Sequence, residues 1–412
     1  MKNSFSAYKG YEDEKYKPKN TDLICDFKIK PAKGLTVKEA SSHVSAESST
    51  GTWTSVSTET KEAWEMRARA YKIKGNNVKI AYNEELFEEG NMPDIMSSIA
   101  GNVFGMNTIE ALRLEDIHFT ENLIESFKGP QYGIDGVRKK LNVKNRPLVG
   151  TIVKPKLGLR TKEHAKVAYD AWYGGCDVVK DDENLTSQKF NPFEDRVVET
   201  LEMQNKAESE TGEKKGYMIN VTAEAGVMLD RMDMVKEYGG KYVMFDVITA
   251  GYSALQTLRE NSGNLIIHAH RAMHGAITRN PNHGISMLAL ARTYRLIGVD
   301  QLHTGTVVGK MEGTKEEVQS INKALVEKMG KIKTTFPVAS GGLNPLHVPK
   351  LMEYLGKDII IQMGGGIHGH PEGTVKGAMA ARQAVDAVMK KQSLKDYAKQ
   401  HKELKLAFEK WQ

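Results

Sequence analysis

Four consecutive charged residues, Lys180, Asp181, Asp182 and Glu183, close an apolar run that begins at Cys176. Side chains alternate along a strand with period two, so Lys180 and Asp182 are expected on one face and Asp181 on the other. Glu183 falls at the strand-to-loop corner, where the backbone can turn it back toward Asp182. Two carboxylates held together suit a hard divalent cation such as Mg2+, which takes oxygen ligands and keeps positions for water and substrate. An interior Lys–Asp ion pair is the competing reading of the same residues.

Other candidates gather at the ends of similar runs. Lys154 and Lys156 of TIVKPKLG are expected on one face, with Pro155 fixing the backbone between them. Converging lysines favour acid/base work or an anionic partner, against the alternative of two solvated side chains. His268 and His270 of IIHAHRAMH share a face, followed by Arg271 and His274. An H-x-H on a strand is either a metal pair or a polar strand end, and Arg271 can grip a phosphate bidentately. His303 precedes TGTVVGKMEG, where Lys310 stands between Gly305, Gly309 and Gly313. That arrangement suggests a lid carrying a cation over a closed site, or an ordinary loop. Ser340-Gly341-Gly342 and Gly364-Gly365-Gly366 end two further runs, where backbone N–H groups can take a phosphate. With Arg271 and His303 they suggest a substrate with two phosphates.

These residues need a scaffold that brings strand ends together. From Pro147 onward, eight strand-like runs alternate with segments of helical periodicity, as in Val375, Ala378, Met379, Val385, Val388 and Met389. Units of roughly 30 residues are the size of βα repeats with parallel strands. Eight of them predict a closed (β/α)8 TIM barrel over residues 147–412, with an open doubly wound sheet as the alternative. The polar residues fall late in each run, where such a barrel places its chemistry. Residues 1–146 lack that rhythm. Runs at 23–31, 69–75 and 77–82 predict strands, the last two forming a hairpin through Gly75 and Asn76. Helices are expected over Val37–Ala46 and Asp94–Phe104. The whole reads as an α+β domain with helices against an antiparallel sheet.

Composition narrows the function further. The 412 residues carry a formal net charge of +6, with Lys and Arg scattered rather than blocked, so no nucleic-acid arm is indicated. A mildly basic surface suits an anionic small molecule. Cys25 and Cys176 are the two cysteines, which points to a reducing cytoplasm. The polar first twenty residues predict no signal peptide, and no apolar run reaches the ~20 residues that span a bilayer.

The runs GTIVKPKLGL, KDDENLTSQ, HAHRAMHGAITRNPNHGI, HTGTVVGKMEG, VASGG and QMGGGIHGHPEG, with AESSTGTWTSV and GNVFGM nearer the start, resemble the large-subunit motifs of ribulose-1,5-bisphosphate carboxylase/oxygenase (Rubisco). The resemblance spans nearly the whole chain. It implies a ferredoxin-like N-terminal domain before the barrel, and a carbon–carbon lyase that carboxylates ribulose 1,5-bisphosphate, with O2 competing. It implies that Lys180 reacts with an activating CO2 to form a carbamate, which binds Mg2+ together with Asp182 and Glu183. The carbamate would take a proton from the substrate to give an enediolate, which attacks a second CO2. Lys310 would stabilise the new carboxylate. Lys154, supported by Lys156, would reprotonate the departing carbanion, and His270 would assist proton transfer. The product is two molecules of 3-phosphoglycerate.

By the same resemblance, Arg271 and His303 match one phosphate site. Thr52, Trp53, Gly341, Gly342, Gly364 and Gly365 match the other, and Ser340 matches the contact to substrate hydroxyls. Glu47, Thr52, Trp53 and Asn102 would reach the barrel of a partner subunit, so a homodimer or a ring of dimers is implied, without nucleic acid or membrane. The brief tail and compact loops look most like archaeal-type form III large subunits, which work without small subunits and are linked to AMP and nucleoside salvage. A Rubisco-like enolase or isomerase, a metal-dependent hydrolase and a catalytically silent phosphate-binding assembly protein are the alternatives. Intact Lys154 and Lys310 argue against the first. The H-x-H on the fifth run rather than the first argues against the second, and the unbroken Lys180, Asp182, Glu183 set against the third.

Overall fold

Short runs rich in branched and aromatic side chains form strands because those side chains fit a pleated, buried surface. The computed structural model describes residues 8–308 and 314–412. In chain order the strands are β1 (Asp22–Pro31), β2 (Arg69–Lys74), β3 (Asn77–Asn83), β4 (Ile109–His118), β5 (Leu148–Ile152), β6 (Val178–Lys180), β7 (Gly216–Asn220), β8 (Tyr242–Asp246), β9 (Ile266–His270), β10 (Gly284–Ile285), β11 (Gln301–His303), β12 (Phe336–Ser340) and β13 (Ile360–Gln362). They fall into two units. The first runs to Lys128 and takes in Met273–Ile297 and Lys328–Ile332; the second comprises Gly129–Ala272, Gly298–Glu327 and Lys333–Gln412.

In the first unit the strand order is β10-β4-β1-β3-β2. The β2–β3 hairpin turns through Gly75 and Asn76, with Lys74 opposite Asn77. The left-handed φ of 57° at Gly75 suits a residue without a Cβ. The sheet is mixed rather than wholly antiparallel, because β10 joins β4 in parallel. The helix Val37–Glu47 starts after Thr36, whose hydroxyl accepts from the Glu39 N–H while the Thr36 N–H donates to the Glu39 carboxylate. The expected helix over 94–104 is broken. A helix spans Met92–Ile99 and a 3-10 turn spans Asn102–Gly105. Gly101 lies between them, where a Cβ would stand 1.9 Å from the Ser97 carbonyl oxygen.

The second unit contains the barrel. Its eight strands close in the order β11-β12-β13-β5-β6-β7-β8-β9, every neighbour parallel. The helix Gly133–Leu141 plugs the N-terminal end, setting Ile134, Val137 and Leu141 against Leu148, Val178, Tyr242, Ile266, Phe336 and Ile360. Buried charge at this end is fully answered. Asp177 accepts two hydrogen bonds from Arg146 at 2.6 and 2.7 Å, and one from the Val149 N–H at 2.8 Å. Asp300 accepts from the N–H groups of Tyr132, Gly133 and Ile267. Among the described residues no helix is long and apolar enough to cross a membrane, and both cysteines are buried and free.

Removing one partner of a buried ion pair strands the other charge in a poor solvent. Asp177→Ala should therefore lower stability by about 3–5 kcal/mol, read from urea unfolding followed by far-UV circular dichroism. A loss under about 1 kcal/mol would show that Arg146 finds solvent instead.

Candidate active site at the C-terminal strand ends

At the opposite end of the barrel the strands stop early. β6 ends at Lys180 and β5 at Ile152. The period-two rule reaches Asp181, whose N–H still pairs with the Met218 carbonyl of β7 at 3.1 Å, but not Asp182, Glu183, Lys154 or Lys156, which loop geometry places. Lys180 is 1% exposed. Its Nζ donates to the Asp181 carbonyl at 2.8 Å and to Glu183 Oε2 at 2.9 Å, and sits 3.5 Å from Met244 Sδ. Asp182, equally buried, receives Lys154 Nζ at 2.7 Å. Lys156 is exposed and reaches Asn184 Oδ1 at 3.4 Å. Burial works against ionisation of Glu183, but Lys180 and His270 outweigh it and hold its pKa down to about 2.

Histidines line the next strands. His270 Nδ1 lies 3.0 Å from Asp246 Oδ1, which orients the ring so that Nε2 stands 3.6 Å from Glu183. His268 is bound on both nitrogens, to Gln301 at 2.8 Å and to His303 Nε2 at 2.9 Å. Burial, reinforced by the positive charge of Lys180, pushes the His268 pKa down to about 3. His303 is held well below its usual range, by burial first and then by its histidine neighbours. His274, grouped with these residues in the sequence, belongs to the other unit.

Arg271 is 7% exposed, yet no hydrogen bond or ion pair reaches it among the described residues. Burial lowers its pKa to about 10, opposed by the charge of Glu317, a carboxylate beyond ion-pair distance. Gly305 makes room for it: a Cβ there would stand 2.8 Å from Arg271 Nη2. The buried Thr304 hydroxyl, next to Gly305 in the chain, has no hydrogen-bond partner among the described residues. A buried guanidinium with an orphaned hydroxyl and a histidine in neighbouring chain positions is chemistry for an anion. Ser340 closes β12 and Gly341 and Gly342 follow it; Gly364 and Gly365 follow β13. A Cβ on Gly364 would come within 3.3 Å of Lys154 Cε, so glycine here lets the lysine cross the barrel mouth.

The sequence-predicted residues divide between the units. Lys154, Lys156, Lys180, Asp182, Glu183, His270, Arg271, His303, Ser340 and the four glycines lie at the barrel mouth. Glu47, Thr52, Trp53 and Asn102 lie in the first unit, where Glu47 accepts from the Tyr8 hydroxyl at 2.9 Å and Trp53 is 63% exposed. Lys310 lies outside the described residues. Sequence reasoning missed Asp246 and Asn220, each closing its strand with one polar residue. It also missed His368, whose Nε2 lies 2.9 Å from the Ile152 carbonyl and whose pKa burial lowers to about 4.

The residues present fit a hard cation in one specific way. Among the described residues no three His, Cys, Asp or Glu side chains form a ready metal cluster. Asp182 and Glu183 supply two carboxylates, and the third group in place is the buried amine of Lys180, which becomes an oxygen donor only when modified.

Parallel barrel, buried lysine beside two carboxylates and an unpaired guanidinium define a (β/α)8 enzyme acting on an anion. The description "Ribulose bisphosphate carboxylase large chain, catalytic domain" matches residues 133–411, and the corresponding N-terminal domain matches 10–123. The chain belongs to the ribulose bisphosphate carboxylase (Rubisco) large-chain family. Proteins named ribulose bisphosphate carboxylase are 50% identical in Methanosarcina acetivorans, over 97% of this chain and 98% of the relative, and 47% identical in Pyrococcus abyssi, over 98% and 96%. The octameric Rubisco of Pyrococcus horikoshii, solved with sulfate ion, superposes with a TM-score of 0.95 at 46% identity, covering 98% of this chain and 96% of that one. The dimeric archaeal Rubisco of Hyperthermus butylicus gives 0.93 at 45%, covering 98% and 99%. These archaeal relatives accord with a form III chain.

Two outcomes follow from the electrostatics. Because Arg271 is buried with no ion pair among the described residues, Arg271→Met should raise the thermal midpoint of the ligand-free protein, by about 1–2 kcal/mol in stability, while removing protection by added sulfate. A destabilised variant that keeps sulfate protection would refute the anion role. His268, neutral in the folded state down to about pH 3, lets the unfolded chain bind a proton first as pH falls below ~6.5. Stability is therefore complete above ~6.5 and is lost as pH falls toward 3; His268→Gln should flatten that slope by about one proton, measured by unfolding at several pH values.

Proposed function

We propose that this chain catalyses Mg2+-dependent carboxylation of D-ribulose 1,5-bisphosphate to two molecules of 3-phosphoglycerate, with O2 as a competing substrate. The observation that carries the reading is Lys180, buried against Glu183 and next to Asp182, in a chain whose relatives are named for this reaction. CO2 would add to the neutral Lys180 amine, forming an N–C bond with loss of a proton, so that a cation becomes an anionic oxygen donor. Asp182, Glu183 and the Lys180 carbamate would then hold Mg2+, which when bound supplies Lewis-acid polarisation of substrate oxygens.

The remaining residues bind, orient and move protons. Arg271 and His303 would take one phosphate, giving the guanidinium the anion that the fold withholds from it. Backbone N–H groups at Gly341, Gly342, Gly364 and Gly365 would take the other, with Ser340 on a substrate hydroxyl. Lys154, held on Asp182 at 2.7 Å, would deliver the proton that completes the second product. Lys156 would raise the local positive potential around Lys154. His270, fixed by Asp246, would relay a proton near Glu183. Lys310 is assigned to the new carboxylate by the family motif HTGTVVGKMEG alone.

Glu47, Thr52, Trp53 and Asn102 would complete a partner's site, making a homodimer the minimum active unit; the dimeric and octameric archaeal relatives support this. Their archaeal origin also supports a place in AMP and nucleoside salvage, without small subunits.

Incubation with CO2 and Mg2+, then ribulose 1,5-bisphosphate and labelled CO2, should give labelled 3-phosphoglycerate. Lys180→Ala should abolish the product while circular dichroism stays unchanged. Absence of product from the unaltered protein, or retained carboxylation by the variant, would defeat this reading. Proton exchange into the substrate without CO2 fixation would identify an enolase or isomerase instead.

A further inference from the structure

Asp181 is the one charge of the strand-end quartet without a task in that reaction. Its side chain is fully buried and turned away from Asp182, into the wall formed by β7, the helix Thr161–Tyr173 and the helix Phe193–Thr211. Four donors fill it. Oδ1 accepts from the Tyr217 hydroxyl at 2.6 Å and lies 3.1 Å from His164 Nε2; Oδ2 accepts from Arg196 Nε at 3.2 Å and from the Asn220 N–H at 3.0 Å.

The partners of Asp181 reach onward to the loop that carries the two carboxylates. Arg196, itself fully buried, donates from Nη2 to the Thr186 carbonyl at 2.7 Å and from Nη1 to the Asn191 carbonyl at 3.1 Å. Asn220 Nδ2 donates to the carbonyls of Asp182, Glu183 and Leu185 at 3.4, 3.2 and 3.0 Å. Asn191 Nδ2 in turn holds the Leu159 carbonyl, in the turn after Lys156, at 3.2 Å. The segment 182–191 is thus suspended from one buried anion and the groups that it fixes.

We propose that Asp181 and Arg196 form a buried strut that positions Asp182 and Glu183, both acting as positioning residues. The role of those two carboxylates rests on the reading given above. The chemistry explains why position 181 is acidic. A carboxylate offers about four acceptor sites and no donor, matching the four donors that surround it. An amide could keep its oxygen toward Arg196 and the Asn220 N–H, but it would turn N–H2 toward the Tyr217 hydroxyl and His164 and would lose the charge that Arg196 answers. Filling Asp181 from behind also keeps it off Lys180, so that Glu183 is the one carboxylate within ion-pair distance of that amine among the described residues.

Three variants test the strut: Asp181→Asn, Arg196→Lys, which keeps charge but loses the fork, and Tyr217→Phe, which removes one donor. Two readouts are taken on the full chain. One is hydrogen–deuterium exchange of peptides spanning 182–191 without metal; the other is Mn2+ affinity in the presence of CO2, by electron paramagnetic resonance. Asp181→Asn should speed exchange and weaken Mn2+ binding about tenfold or more, as expected for losing a charge-assisted hydrogen bond. Arg196→Lys should fall between it and Tyr217→Phe, whose change should be about two- to threefold. If Asp181→Asn does not fold, the other two decide. Folded variants with unaltered exchange, or with faster exchange but unaltered Mn2+ affinity, would overturn the proposal. An unaltered protein that binds no Mn2+ with CO2 would sink the catalytic reading instead, and the exchange ranking alone would then decide the strut.

Discussion

A charged amine inside a protein must be answered by an anion, and the mouth of this barrel is arranged around that requirement at Lys180. The side chain lies inside the strand ring, where the penalty for an unpaired ammonium would be several kcal/mol. Glu183 answers it at 2.9 Å. Asp182, next to it in sequence, answers Lys154 at 2.7 Å. The two carboxylates are thereby held beside one another by two cations rather than pushed apart by mutual repulsion. A short β6 makes this possible: Asp181 still gives its N–H to the Met218 carbonyl of β7 at 3.1 Å, and Asp182 and Glu183 follow beyond the strand.

The two ends of the barrel treat buried charge in opposite ways. At the N-terminal end Asp177 and Asp300 each accept three hydrogen bonds from nearby donors. At the C-terminal end, among the described residues, Arg271 is buried without an ion pair and the Thr304 hydroxyl without a hydrogen bond. Stability and binding are thus separated along one axis, the closed circuits at the base supporting the open ones at the mouth.

Much of this was legible in the residues. The alternation of apolar runs from Pro147 foretold eight strands, and each run appears in the closed ring. The helix start at Val37 and the turn at Gly75 were read correctly. The helix expected over 94–104 failed at Gly101, where close approach to Ser97 rather than periodicity decides the backbone. The parallel β10 was unreadable because it pairs residues from distant parts of the chain. At the site, residue types with strong chemistry stood out. Asp246, Asn220 and Arg196 did not, since their importance lies in what they touch across strands. The period-two rule separated Asp181 from Lys180, and the Asp181 N–H still pairs with β7; the strand ends before the rule can place Asp182. The separation comes from the donors that draw Asp181 outward.

Met244 lies beneath Lys180, its sulfur 3.5 Å from the amine. A thioether has no formal charge, only a polarisable electron cloud and a flexible stem. An aspartate at that place would commit the lysine to one ionic form, and an arginine would commit it to the other. A floor without polarity of its own accepts either sign of charge above it, with the same packing. On the proposed chemistry, the residue that allows the switch is therefore one that takes no part in it.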